Sequence, residues 1–72
     1  MNELQALEEA VRRAKSQSAI GAITGRSQPA VSGWLNKKKR LPAEHVLVVE
    51  AATGVSRHDL RPDIYPRERE VA

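Results

Sequence analysis

Residues 17–40 read QSAIGAITGRSQPAVSGWLNKKKR, from Gln17 to Arg40, and this stretch decides the fold. Its spacing predicts two short helices joined by a tight turn, with a basic loop behind the second. The first helix covers about residues 17–24. Ser16 precedes it as N-cap, where a hydroxyl oxygen can accept a free N–H of the first turn. Ala19, Ile20 and Ile23 form its inward side. Gly25 follows, where a left-handed turn needs a residue without Cβ. Ser27 caps the second helix, about residues 28–36. Pro29 falls in that helix's first turn, where no intrahelical N–H bond is lost. Val31, Trp34 and Leu35 stand at i, i+3 and i+4 and so share one face. Gln28, Ser32 and Gly33, small or polar, lie on the opposite face. The second helix therefore has an apolar back for a core and a short-side-chain front for a partner. Trp34 reads as an inward anchor, not as a platform for stacking bases.

These residues resemble the helix-turn-helix of the phage repressor and Cro group. Gly21 matches the small position where the two helices nearly touch, and Gly25 matches the turn glycine. Ile20, Val31 and Trp34 match the inward apolar positions. Thr24 and Arg26 depart from the pattern, standing where the motif usually has apolar residues. Three blocks in order, SQPAVSGWL, RLPAE and LRPDIYP, are similar to YdaS-like antitoxin and Cro-type prophage regulators over about residues 16–66. The resemblance implies an all-α fold, a small five-helix bundle of the lambda-repressor-like type. It also implies a DNA-binding regulator whose second helix enters the major groove.

The residues can be sorted on that expectation. Gln28 is the first candidate for reading bases, because an amide can pair with the N6 and N7 edge of adenine. Ser32 lies one turn on and could reach a base or a water. Pro29 and Gly33 can offer only apolar contact or close backbone approach. That is a thin reading face, so specificity would lean on water or on DNA shape. The resemblance gives Gln17 the role of supporting Gln28 while touching phosphate. Arg26, Ser27, Asn36 and the run Lys37, Lys38, Lys39 and Arg40 complete the phosphate set. A symmetric homodimer on an inverted repeat would place two such helices about 34 Å apart.

Composition supports this and narrows the alternatives. The 72 residues make one domain at most, and a chain of this size hides only about 60% of its unfolded surface. The expected division is a DNA-binding domain at 1–66 and a flexible charged tail at 67–72. There is no Cys to form a disulfide or a thiolate metal site. No apolar run approaches the roughly 18 residues of a membrane span and no signal peptide opens the chain, so a cytoplasmic setting is expected. Two aromatics, Trp34 and Tyr65, are too few for a single-strand stacking surface. The net charge is +3. Charges cancel in residues 1–16 and again in 57–72, so the surplus lies at Arg26 and Lys37 to Arg40. A basic patch beside a candidate recognition helix is the footprint of phosphate binding.

The flanks read as scaffold. Residues 3–15 predict an amphipathic helix with Leu4, Leu7, Val11 and Ala14 on one stripe. Glu8–Arg12 and Glu9–Arg13 are i, i+4 pairs. A fourth helix is expected from Pro42 to about Ala52, with Val46, Val49 and either Leu47 or Ala43 inward, ending at Gly54. Ser56 and Asp59 suggest a capping box for a short helix over residues 57–60, stopped by Pro62. Ile64 and Tyr65 would fold onto the core or meet a partner. His45 and His58 read as isolated surface residues, so no metal site is expected. No cofactor motif and no catalytic constellation appears. The competing reading is a protein-interaction module, such as an antitoxin that binds a toxin or a partner regulator through the segment around Ile64 and Tyr65.

Overall fold

The structure, a computed structural model, describes residues 1–67. Its first helix, α1, spans Glu3–Ala14. Asn2 accepts the Gln5 N–H at 2.7 Å, and the Gln5 side chain accepts the Asn2 N–H at 3.0 Å. This reciprocal box satisfies two otherwise free donors. Lys15 closes the helix in the left-handed region, at φ 89°. The buried stripe is Ala6, Leu7 and Ala10, with Val11 and Ala14 at its edge and Leu4 half-buried. The expected stripe is thus turned toward two alanines, which let neighbouring helices approach closely. The expected pairing of Glu8 with Arg12 is not made. Arg12 and Arg13 both converge on Glu9, since i+3 and i+4 are equally near on a helix. Those bonds, Arg12 first and Arg13 second, hold the Glu9 carboxyl down at about 2. Arg13 also donates to the Thr53 carbonyl at 3.3 Å, which ties α1 to the end of a later helix.

The second helix, α2, spans Gln17–Thr24 and is capped as expected by Ser16, which accepts the Ala19 N–H at 3.0 Å. Gly25 turns the chain at φ 73°. The third helix, α3, spans Gln28–Gly33, with Ser27 accepting the Ala30 N–H at 3.3 Å. It continues as a π-helical turn, Trp34–Lys38, and closes at Lys39 with φ 63°. The helical rod therefore runs two residues past the expected end at Asn36. A Cβ on Gly21 would lie 2.6 Å from the Arg26 carbonyl oxygen, so only glycine fits where α2 meets the turn. The two departures from the motif have local solutions. Thr24 donates its hydroxyl to the Ile20 carbonyl at 2.9 Å and so needs no outside partner. Arg26 is exposed, and its backbone rather than its side chain makes the close contact.

Past Pro42 comes a short 3-10 turn, Ala43–His45, and then α4, Val46–Thr53. The expected single helix is split here, with Pro42 left outside it in an extended conformation. Val46 and Val49 are fully buried, as expected. Leu47 is 48% exposed and Ala43 is exposed, so neither is the third inward residue. Leu41 and Val55, from the segments flanking the helix, enter the core instead. After Gly54 at φ 79°, the last helix, α5, spans Arg57–Leu60. Ser56 accepts the His58 N–H at 3.1 Å. The expected return contact from Asp59 to the Ser56 N–H is not made, and Glu50 of α4 accepts the next N–H, that of Arg57, at 2.8 Å and grips its guanidinium. Those Arg57 bonds hold the Glu50 carboxyl below its ordinary range. Asp59 pairs instead with Arg67 at 2.8 Å.

The largest fully buried side chains among the described residues, Leu7, Ile20, Val31, Leu41, Val46, Val49 and Leu60, centre the bundle. Among the described residues there is no strand, and the five helices form the expected all-α bundle. Both histidines belong to the fold, not to the free surface. The His45 ring centroid lies 5.2 Å from that of Trp34, and its side chain is 12% exposed. The Nδ1 of His58 bonds the Tyr65 carbonyl at 2.7 Å. Tyr65 packs on the core, with Arg57 5.7 Å above its ring, while Ile64 stays 43% exposed. Residues 68–72, most of the expected tail, lie outside the described residues.

Candidate nucleic-acid interface

The rod formed by α3 and its π turn has two unlike faces. Val31 and Trp34 are buried on one, with Leu35 packed at the margin. Burying such side chains contributes ~1.5–3 kcal/mol each, which docks the rod on α2 and the rest of the bundle. On the other face, Gln28 and Pro29 are exposed and Ser32 and Gly33 half-buried. The four expected base-reading residues therefore share one open surface.

Two hydrogen bonds organise that surface. Gln28 Nε2 donates to Gln17 Oε1 at 2.6 Å, across the turn between helices. This uses one of its two amide protons and leaves Gln28 one N–H and a carbonyl oxygen to offer. Asn36 Nδ2 donates to Ser32 Oγ at 3.0 Å, along the rod. The eleven-residue spacing of the two glutamines was legible in the sequence, whereas the link from Asn36 to Ser32 was not recognised there. It could have been, because i and i+4 positions are neighbours on a helix.

The cations divide into two groups. Arg26, Lys37, Lys38 and Lys39 are exposed and make no ion pair with the described residues. Arg40 is different. It lies 3.4 Å from Glu3 of α1 and 3.5 Å from Asp63. Arg61 joins the same cluster, bonding Asp63 at 2.8 and 2.9 Å and the Leu41 carbonyl at 3.1 Å. Chiefly through the Arg61 bonds, the Asp63 carboxyl is held down at about 2. The contacts of Arg40 with Glu3 and Asp63 had no local signal, because they join residues far apart in the chain. Between the two groups lies a cleft of about 220 Å³, bounded by Trp34, Lys38, Arg40, Pro42 and Arg61. Ser27 sits exposed at the start of α3 with its oxygen engaged as cap. Among the described residues no group of three metal-binding side chains occurs, and no helix is long and apolar enough to cross a membrane.

With that geometry in place, the comparisons are specific. Residues 7–69 match the model of the family described as bacterial toxin YdaS. A curated relative from Escherichia coli strain K12, titled "Putative transcriptional regulator YdaS", is 42% identical over 50 residues, which is 67% of this chain and 51% of the relative. The chain thus spans about half the length of that relative. Among solved structures, "Structure of the Cro protein from putative prophage element Xfaso 1 in Xylella fastidiosa strain Ann-1" superposes with a TM-score of 0.80 at 35% identity, over 93% of this chain and 100% of that one.

Proposed function

Because the chain belongs to the bacterial toxin YdaS family, and is similar throughout to a solved Cro protein, we propose that it is a sequence-specific, double-stranded DNA-binding transcriptional regulator of the Cro or prophage-repressor type. The rod from Gln28 lies in the major groove. Gln28 accepts from adenine N6 and donates its remaining amide proton to N7, held in orientation by Gln17. Ser32 contacts a base one turn further on. Pro29 and Gly33 allow close approach and contact with a thymine methyl. Gln17, Arg26, Ser27, Lys37, Lys38 and Lys39 line the phosphates, and Arg40 joins only by leaving Glu3 and Asp63. Two copies bind an inverted repeat in the cytoplasm, with half-sites about one helical turn, ~34 Å, apart.

The bond between Gln28 and Gln17 carries this reading. A merely solvated glutamine has no reason to be fixed by another across a turn, whereas an amide that must present one edge does. Selection of bound duplexes from a random pool tests it. A single enriched inverted repeat with adenine at the Gln28 position is expected, and a pool that stays random would overturn the reading. The second reading, a module whose main task is to bind a toxin or another regulator, draws on one observation, the exposed Ile64 beside the tucked Tyr65. A partner captured by the intact chain but lost with Ile64→Ser, in a protein that selects no duplex, would favour it.

A further inference from the structure

Resting on the DNA-reading function proposed above, we infer that Asn36 is a positioning residue that biases Ser32 toward donating its hydrogen bond to one base. Asn36 would otherwise count among the phosphate contacts. The argument begins with what a helical hydroxyl does when left alone. It commonly donates to the carbonyl four residues back, which withdraws its proton from any partner. Thr24 does so to Ile20 at 2.9 Å, and Thr53 does so to Val49 at 2.8 Å. Ser32 does not. Its Oγ accepts from the Asn36 amide at 3.0 Å, and among the described residues its own proton has no acceptor.

A serine hydroxyl has one proton and two lone pairs, so by itself it serves donor and acceptor edges alike. The Asn36 N–H occupies one lone pair and places a positive hydrogen beside the oxygen. A second incoming N–H is then disfavoured, while the outward proton still seeks an acceptor. In the major groove that acceptor is N7 of a purine, O6 of guanine or O4 of thymine, and the disfavoured neighbour is the N4 amino group of cytosine. Ser32 is half-buried on the same open face as Gln28, one turn along the rod. Asn36 itself lies in the π turn Trp34–Lys38, a rare distortion that is frequent at functional sites.

The test compares duplex selection and binding by the wild type, Asn36→Ala, Asn36→Asp and Ser32→Ala. Asn36 is exposed, and Ser32, half-buried, bonds Asn36 at the surface, so each variant should keep the wild-type thermal melt, which is checked first. The wild type should prefer guanine or thymine over cytosine at one position, a turn from the Gln28 position, by roughly fivefold, the worth of one net hydrogen bond. Asn36→Ala and Ser32→Ala should each abolish that preference at that position alone. Asn36→Ala should also leave affinity for unrelated duplexes unchanged. Asn36→Asp should reverse the preference, because a carboxylate accepts the Ser32 proton and leaves its lone pairs facing the base. A similar loss on every duplex, related or not, would assign Asn36 to the DNA backbone and overturn the inference. So would a wild-type motif that Asn36→Ala leaves intact. A wild type that enriches no motif would instead sink the DNA-reading function, and this inference with it.

Discussion

The two faces of the rod from Gln28 to Lys38 use the same backbone for opposite purposes. The back, with Val31, Trp34 and Leu35, makes its contacts with the bundle, and Trp34 also lies against His45. The front, with Gln28, Ser32 and Asn36, makes its contacts within its own surface, through Gln17 and along the rod. A solvated face can also be polar and bonded, as Glu9 is with Arg12 and Arg13 on α1. This one is polar and internally bonded while still holding unused donors and acceptors. Those spare groups are what the proposed DNA contacts would use.

That contrast predicts a separation of effects. Trp34→Ala should cost about 3–5 kcal/mol of folding stability, most of what a chain this small has, and urea titration should show it largely unfolded. Gln28→Ala should stay within about 0.5 kcal/mol of wild-type stability. A large stability loss from Gln28→Ala would erase the contrast. In binding the order reverses. Gln28→Ala should lose about 1–3 kcal/mol on the selected site and little on random DNA, as read by fluorescence anisotropy. Equal losses on both duplexes would remove Gln28 from sequence reading.

The same logic divides the basic run. Lys38→Ala should lower the salt slope of DNA binding by about 0.9, one phosphate contact. Arg40→Ala should change it much less, since Glu3 and Asp63 already engage Arg40. Equal slopes for the two variants would show that Arg40 leaves its acids on DNA.

Much of this was legible in sequence, for identifiable reasons. Ser16, Gly25, Ser27 and Pro29 act through local backbone geometry, and Val31 and Trp34 through helical period, so residue type and spacing suffice. The burial of Val46 and Val49 was legible on the same terms. What was missed depends on distant contacts. Glu50 caps the Arg57 N–H at the start of α5 from across the chain, which no local motif could foretell. His45 is drawn under Trp34, and Arg40 is drawn toward Glu3 and Asp63, by elements that periodicity cannot bring together. The Asn2–Gln5 box is the exception. It was readable as an Asn followed three residues later by a Gln.

The smallest expected effect concerns the acid cluster. Asp63 ionises more readily folded than unfolded, from an ordinary 3.8 to about 2, because Arg61 bonds its charged form. Its contribution to stability is therefore present above about 4 and fades as pH falls toward 2. The pair is partly exposed, so the effect is modest and screened by salt. Melting curves of Asp63→Asn and wild type should differ at neutral pH and converge near pH 2. A constant gap across that range would mean that the cluster does not depend on this charge.

The central claim, that the front of α3 is the surface that meets DNA, is tested most directly by titrating a selected duplex into isotope-labelled protein and following the backbone and side-chain amide spectrum. Shifts should concentrate at Gln17, Gln28, Ser32, Asn36 and Lys37 to Lys39, with Leu47 and Ile64 unmoved. A spectrum untouched by duplex, or one that moves only at Leu47 and Ile64, would contradict it.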